Sequence, residues 1–271
     1  MRKARHIDAV YTQTEGEATC FILGGVWFPP GLDVVGKRRY AETHYHGIRN
    51  AIMREPRGHN DLYGAIVAPA HDEGGHAAPL WMDGEGFADM CGHGTIALAT
   101  VLTASGVVKS SDDPVTKVHI ETVAGPIVAE VHSSGDEVDW CRFQNVPAYL
   151  AARDILVELP EIGTLRVDIA FGGVFFALVE WTRNEPKIGP DNASYFGRLG
   201  TLVKQAINAK FRAEHPVNKQ LCGLDMVTFY HEAGRPDALY RCVHTYRNGK
   251  TDRSPGGTGT SAMMAMLEGR G

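Results

Sequence analysis

The fold is decided by two glycine-rich segments, CGHGTIA at residues 91–97 and GGTGTSA at residues 256–262. When the two are aligned, they share glycine at the second and fourth places, threonine at the fifth and alanine at the seventh. Each precedes an apolar stretch of helical character, and they begin 165 residues apart, which is a domain length rather than a solenoid period. The pair therefore predicts two related domains, each with a glycine-rich turn that opens a helix.

The rest of the chain mixes short strands with a few helices, in an order too irregular for one wound parallel sheet. Strands are predicted where apolar and aromatic residues cluster between Gly, Pro or Asp, at 20–24, 64–69, 118–122, 127–132, 166–169, 174–180, 226–230 and 240–246. Helices are predicted at 37–55, 93–105, 192–214 and 260–267, with Pro56, Gly106 and Pro216 as stop signals. The sequence thus predicts an α+β fold of two domains, residues 1–122 with the first glycine-rich turn and residues 123–271 with the second.

A glycine-rich turn that opens a helix is suited to binding an anion. The first N–H groups of a helix have no partner within it, and the helix dipole adds about half a positive charge there. Glycine lets the backbone approach a ligand closely. A matched pair of such turns, one of them containing Cys91 and His93, favours a site for a small carboxylate over two turns without a ligand.

Cys91 lies in the first turn, where the start of a helix changes its chemistry. A helix N-terminus stabilises a thiolate and lowers the pKa of a cysteine from about 8.5 towards neutrality. Such a thiol is suited to general acid–base catalysis near neutral pH. His93, two residues further on, either donates to a bound substrate or caps the helix. Cys91 is therefore the predicted proton carrier.

Composition and charge argue against several other classes of protein. The 271 residues are 44% hydrophobic and 22% charged, and the net charge is −5 with scattered basic residues, so no basic stripe indicates nucleic-acid binding. No apolar run approaches the roughly 20 residues that span a bilayer, and the basic N-terminus lacks the apolar segment of a signal peptide, so we expect a cytoplasmic protein. The five cysteines are widely spaced and contain no C-x-x-C pair, which argues against a disulfide framework and a zinc ribbon.

Two other chemistries fit the sequence less well. His44 and His46, with further histidines downstream, suggest a metal site. Alternate residues of a helix point to different sides, however, so we expect no metal. Cys91 with His93 suggests a cysteine hydrolase, but a nucleophile and its base normally come from separate elements and need a third group that orients the base.

Six blocks spread along the chain form a longer pattern: TEGE at 14–17, REPRGHNDLYGAI at 54–66, MCGHGT at 90–95, FQNVPAYL at 143–150, VDIAFGGVFFALV at 167–179 and DRSPGGTGTSA at 252–262. In this order they resemble the proline racemase superfamily, whose two signature loops are similar to the third and sixth blocks. The resemblance implies two similar α+β domains of the diaminopimelate-epimerase type, with the active site in the cleft between them. It implies no metal, pyridoxal phosphate or nicotinamide.

The resemblance also implies roles for residues of both loops. Cys91 is the first of two proton carriers. Asp252 receives the ammonium group of the substrate ring, with His93 nearby, and Tyr246 is an aromatic wall against that ring. Backbone N–H groups for the substrate carboxylate are implied at Gly92, His93, Gly257 and Thr258. The implied substrate is a small molecule, proline or a hydroxyproline, and the resemblance is also consistent with a homodimer.

Gly256 departs from the family pattern, because racemases and 4-hydroxyproline epimerases of the family carry a thiol at this place. Glycine cannot hold a proton, and inversion at Cα requires removal from one face and delivery to the other. The sequence therefore predicts dehydration of trans-3-hydroxy-L-proline to 1-pyrroline-2-carboxylate by Cys91, as in family dehydratases, which have a non-thiol residue here. Two alternatives remain open: a 4-hydroxyproline 2-epimerase or proline racemase whose second proton carrier is Asp252 or water, and a non-catalytic binder of proline-like acids.

The end of the chain is a second departure from the pattern. The sequence ends at Gly271, soon after the second loop, whereas family members usually continue for several dozen residues. Without such a tail we expect uncovered sheet edges, which favour aggregation.

Overall fold

The chain divides after Val146. The computed structural model describes residues 5–109, 114–135 and 137–271, and the chain forms two compact units, Met1–Val146 and Pro147–Gly271. The boundary predicted between residues 122 and 123 falls inside a hairpin instead, because Thr122 pairs with Gly125 in an antiparallel ladder. Residues 1–4, 110–113 and 136 of the two predicted domains lie outside the described residues.

The first unit begins with a sheet. Its strands in the described part of the chain are β1 (Asp8–Thr14), β2 (Glu17–Gly24), β3 (Tyr63–Ala68) and β4 (Ala78–Asp83). They lie side by side in chain order, with β2 and β3 parallel and the other neighbours antiparallel. A parallel pair needs a long crossover connection. Helices α1 (Val34–His44) and α2 (His46–Met53) supply it.

These two helices replace the single helix predicted at 37–55. Helix α1 begins earlier because Asp33 caps it, with Oδ1 accepting the Gly36 N–H at 2.7 Å. The helical path breaks at Tyr45, where φ is −116° and ψ is 12°. The Tyr45 ring is buried, and its hydroxyl accepts the Trp27 N–H at 2.8 Å. The helix thus breaks at the residue whose ring is anchored in the core. The helical pattern of the sequence did not reveal this break.

The second sheet of the first unit packs against the helix that follows the first glycine-rich turn. Its strands are β5 (Val115–Thr122), β6 (Gly125–Ser134) and β7 (Glu137–Phe143), all antiparallel. Helix α3 (Gly92–Ala104) agrees within one residue with the prediction at 93–105. Leu98 and Leu102 of this helix are buried in a core cluster that also contains Trp81, Ile120 and Val131. This packing fixes the start of α3, where Cys91 lies.

The second unit is built on one six-stranded sheet, and all of its residues are described. In spatial order the strands are β13 (Lys250–Thr251), β12 (Ala238–Tyr246), β11 (Met226–Arg235), β10 (Phe175–Glu180), β9 (Gly163–Phe171) and β8 (Tyr149–Leu159). Only β10 and β11 run parallel in this sheet. The connection between them contains a 3₁₀ turn (Pro190–Asn192) and helix α4 (Ala193–Asn208).

Helices α4 and α5 lie on opposite faces of this sheet. Side chains alternate between the two faces along a strand. Accordingly Thr245 of β12 lies against Gly200 of α4, while its neighbour His244 lies against the start of α5 (Gly257–Arg270). Helix α5 is longer than the predicted 260–267. Helix α4 ends at Asn208, short of the predicted 214.

The α+β fold class predicted from the sequence is confirmed by these elements. No helix in the described part of the chain is long and apolar enough to cross a membrane.

Candidate active site

Cys91 is the residue that caps helix α3. Its backbone is extended, with φ −147° and ψ 117°, and its carbonyl accepts the Thr95 N–H at 3.1 Å and the Thr95 hydroxyl at 2.7 Å. The sulfur accepts the Gly94 N–H at 3.3 Å. The residue is only 5% exposed. The sulfur therefore lies at the positive end of the α3 dipole and contacts a backbone donor.

His93 lies directly beside this sulfur. Both nitrogens of its ring are 3.5 Å from Cys91 Sγ. The ring packs edge-on against Tyr63, with 5.4 Å between centroids, and the His93 carbonyl accepts the Thr14 hydroxyl at 3.3 Å. Gly92 and His93 are the first two residues of α3, so their N–H groups belong to the turn in which helix donors lack intrahelical partners.

Gly94 is required by a close approach that the sequence did not reveal. A Cβ on this residue would lie 2.5 Å from Cζ3 of the buried Trp81 and 3.0 Å from Cys91 Sγ. The fourth-place glycine of the first turn thus makes room for an aromatic ring and for the sulfur. A substitution here would displace Cys91.

The second glycine-rich turn is held by a short chain of hydrogen bonds. Asp252 Oδ1 accepts the Ser254 N–H at 2.8 Å, and Ser254 Oγ accepts the Gly256 N–H at 3.1 Å. Gly256 has a left-handed backbone, φ 66° and ψ 56°, and its carbonyl accepts the Thr260 N–H at 2.8 Å. Gly257 and Thr258 are therefore the first two residues of α5. Their position matches that of Gly92 and His93 in α3.

Tyr246, the predicted aromatic wall, ends strand β12. It is buried, and Lys250 Nζ lies 5.8 Å from the centroid of its ring. Within its own unit, the structure thus brings Cys91, Gly92 and His93 together at the start of α3. The other predicted site residues, Tyr246, Asp252, Gly256, Gly257 and Thr258, all belong to the second unit, between the end of β12 and the start of α5.

His244 is a residue of this region that the sequence reasoning missed. The residue is 4% exposed, and its Nδ1 lies 2.8 Å from the Thr228 hydroxyl. Nε2 lies 3.6 Å from Cys242 Sγ. Burial lowers the pKa of His244, and the negative charge of Asp252 partly opposes this effect. This shift favours the neutral form of the imidazole.

The His244 ring occupies the space that a side chain at residue 256 would need. A Cβ on Gly256 would lie 2.1 Å from His244 Cδ2 and 2.3 Å from Nε2. A Cβ on Gly259 would lie 2.4 Å from Cε1 of the same ring. A signal for His244 was present in the sequence, because alternate strand residues share a face. His244 therefore shares its face of β12 with Tyr246, which was a predicted site residue.

The remaining cysteines differ from Cys91 in their surroundings. Burial raises the pKa of the Cys20 thiol, and it raises the pKa of Cys141 to about 11. Cys222 is exposed. None of these thiols caps a helix in the part of the chain that the structure describes.

The two histidines weighed as metal ligands belong to different helices. His44 ends α1 and its ring stacks on Tyr40, with 4.0 Å between centroids. His46 begins α2, and its Nε2 lies 2.9 Å from the Asn50 side-chain amide. Within the described ranges, no group of three or more His, Cys, Asp or Glu side chains is arranged to hold a metal ion.

The sequence is similar to known members of the family that the two loops resemble. The family model described as proline racemase matches residues 9–271. A 4-hydroxyproline 2-epimerase from Cereibacter sphaeroides is 43% identical over 271 residues, which cover 100% of this chain and 80% of the epimerase. A trans-3-hydroxy-L-proline dehydratase from Colwellia psychrerythraea is 35% identical over 260 residues, covering 96% of this chain and 73% of the dehydratase.

A solved structure agrees with these sequence matches. The crystal structure of a hydroxyproline epimerase from Agrobacterium vitis, with bound trans-4-OH-L-proline, has a TM-score of 0.91 to this chain at 31% identity. The match covers 100% of this chain and 79% of that one. Since the family model spans nearly the whole sequence and relatives of this identity align along all of it, the chain belongs to the proline racemase family.

Proposed function

We propose that this protein removes the α-proton of a proline-type amino acid with the Cys91 thiolate and epimerises a 4-hydroxyproline at C2. The observation that carries the proposal is the position of Cys91 at the start of α3, with the Gly94 N–H donating to its sulfur. A backbone donor and the positive end of a helix dipole both favour negative charge on that sulfur. A thiolate so placed is a base that needs no cofactor.

The proposed substrate follows from the relatives and from the charges near the two turns. One relative is named as a 4-hydroxyproline 2-epimerase, and another was solved with trans-4-OH-L-proline bound. We assign the substrate carboxylate to the N–H groups at the starts of α3 and α5. The ring ammonium is assigned to Asp252, whose carboxylate the Ser254 N–H orients. Tyr246 is assigned to the ring itself.

The proposed step begins with the C2–H bond. The Cys91 thiolate takes the proton and becomes a thiol, while the electron pair of the bond passes into the carboxylate, which becomes an enediolate. The donors at the helix starts stabilise the extra negative charge that develops on the carboxylate oxygens. Return of a proton to the opposite face of C2 completes the epimerisation.

Dehydration of trans-3-hydroxy-L-proline is the second candidate, and Gly256 is the observation that favours it. Residue 256 has no side chain that could deliver a proton. Elimination needs a single carrier, because the α-hydrogen and the hydroxyl of that substrate lie on one ring face. Cys91 would take the α-proton and return it to the departing hydroxide. The similarity to a family dehydratase supports this reaction at lower identity.

A proton NMR time course in D₂O separates the candidates. The protein is incubated in parallel with trans-4-hydroxy-L-proline, trans-3-hydroxy-L-proline and L-proline. We expect the 4-hydroxy acid to exchange its C2 proton and to give the C2 epimer, and Cys91→Ala to abolish both signals. Cys222→Ala, which changes an exposed thiol, is the matched control and should retain activity. Conversion of the 3-hydroxy acid to a pyrroline carboxylate without epimerisation of the others would establish the dehydratase instead.

A further inference from the structure

The contact between His244 and the second turn suggests a chemical role for that histidine. Its Nε2 lies 2.3 Å from the position that a Cβ on Gly256 would occupy. A proton carried by this nitrogen is therefore placed where the first side-chain atoms of residue 256 would be. Within the second turn, the imidazole fills the place that glycine leaves open.

The hydrogen bonds of the ring leave Nε2 as the reactive nitrogen. Nδ1 lies 2.8 Å from the hydroxyl of the buried Thr228, so this nitrogen is fixed by a bond within the sheet. When Nδ1–H donates to that hydroxyl, Nε2 carries the lone pair. Nε2 has the thiol of Cys242 at 3.6 Å, a weak donor at long distance. Burial, which lowers the pKa of His244, keeps Nε2 available as a base.

We propose that His244 is the second proton carrier of this enzyme, and that its Nε2 exchanges a proton with the face of substrate C2 opposite to Cys91. This inference rests on the epimerisation proposed above. It identifies the group that the reaction needs and that Gly256 cannot supply.

The proton balance closes over the pair of carriers. In one direction neutral His244 takes the C2 proton at Nε2 and becomes imidazolium, while the Cys91 thiol gives its proton to the other face and becomes a thiolate. In the reverse direction the thiolate takes the proton and the imidazolium gives one back. The C2–H bond that breaks and the one that forms use the same electron pair, so no oxidant or reductant takes part.

Two neighbouring groups fit this role less well. Asp252 orients the turn through its bond to Ser254 and is assigned to the ring ammonium, and a carboxylate that pairs with a cation holds a proton poorly. Cys242 is further from the turn than the ring, because the three atoms nearest to a Cβ on Gly256 all belong to His244. Burial and the charge of Asp252 also raise the pKa of the Cys242 thiol. That shift disfavours the thiolate.

The test separates exchange from inversion at C2. His244→Gln keeps a polar side chain of similar size, and both C2 epimers of 4-hydroxyproline are followed by proton NMR in D₂O. We expect inversion to fall at least about 100-fold, the usual contribution of a general acid or base. Exchange of the C2 proton should persist in the one epimer that presents this proton to Cys91, since the thiol can return a deuteron to the same face. Persistent exchange also shows that the variant is folded.

A control variant and three possible results separate an error in the His244 assignment from a failure of the proposed function. His231→Ala changes a histidine of the same sheet whose ring contacts the Glu232 carbonyl through Nδ1, and this variant should invert the substrate normally. Inversion by His244→Gln at the native rate would overturn the assignment, and so would loss of exchange in both epimers by a variant with a native circular dichroism spectrum. Loss of inversion in Cys242→Ala with His244 intact would move the role to that thiol. If the native enzyme neither exchanges nor inverts any substrate, the proposed function itself fails.

Discussion

Replacing Gly256 by alanine tests whether the His244 ring occupies the side-chain position of residue 256. The new Cβ would lie 2.1 Å from Cδ2 of that ring. Residue 256 also has a left-handed backbone, with φ 66°. The substitution therefore introduces two separate costs, one from the backbone and one from the collision. Each of these two costs can be measured separately with a further variant in the second unit.

The expected loss of unfolding free energy follows from these two costs. A residue with a Cβ loses roughly 1–2 kcal/mol in the left-handed region. Forcing an extra carbon into a packed site costs about 1–3 kcal/mol more. We therefore expect Gly256→Ala to destabilise the second unit by about 2–5 kcal/mol. In the His244→Ala background the collision disappears, so the same change should cost only about 1–2 kcal/mol.

The assay is a double-mutant cycle measured on the second unit. Native protein, both single variants and the double variant are unfolded in denaturant, and amide hydrogen exchange in β11 and β12 reports the opening of their sheet. Gly163→Ala is the matched control, because Gly163 has φ 82° and no atom within 4 Å of the added carbon. It should show the backbone cost alone. An equal loss for Gly256→Ala with and without the His244 ring would refute the collision, and with it the placement of the ring.

Two further predictions concern the sheet of the second unit. Asp168→Asn should lower its unfolding free energy by about 3 kcal/mol, because this buried carboxylate accepts two bonds of 2.6 Å from Arg270. Asp154→Asn removes an exposed bond to the same guanidinium and should cost much less; chemical denaturation measures both. Burial, with the charge of Glu180, raises the pKa of Tyr230 from 10.0 to about 12. The folded state therefore holds this proton more tightly, and stability should fall by about 1–2 kcal/mol as pH rises from 10 to 12, a loss that Tyr230→Phe should remove in denaturation curves at each pH.

The strands that the sequence did not reveal lie at the edges of the sheets. β1 and β4 end one sheet, β7 ends the second, and β8 and β13 end the third. An edge strand needs less apolar surface than a central one, and natural edges favour polar residues. Most of β1 is exposed, and β8 has the exposed polar residues Arg153, Asp154 and Glu158 among its apolar ones, so neither strand shows the short bounded apolar run by which the central strands were predicted. β4 is buried but contains Pro79 and Asp83, which have low strand propensity.

Some features of the candidate site follow from local sequence patterns, and others depend on contacts between residues that are far apart in the sequence. The starts of α3 and α5 could be predicted because a glycine-rich turn followed by an apolar helix is a local pattern. The roles of Gly94 and Gly259 could not be predicted, because they depend on contacts with the rings of Trp81 and His244, which belong to other strands. A glycine alone says only that a Cβ is absent. What fills the space is decided by tertiary packing.

The packing of one ring against two glycines also limits how this sequence can change over generations. A codon change that gives residue 256 or residue 259 a side chain meets the ring of His244. We therefore expect either change to be unfavourable until position 244 has first become smaller. The collision thus favours one order of substitutions over the other. We expect lineages that keep the histidine to inherit all three residues together.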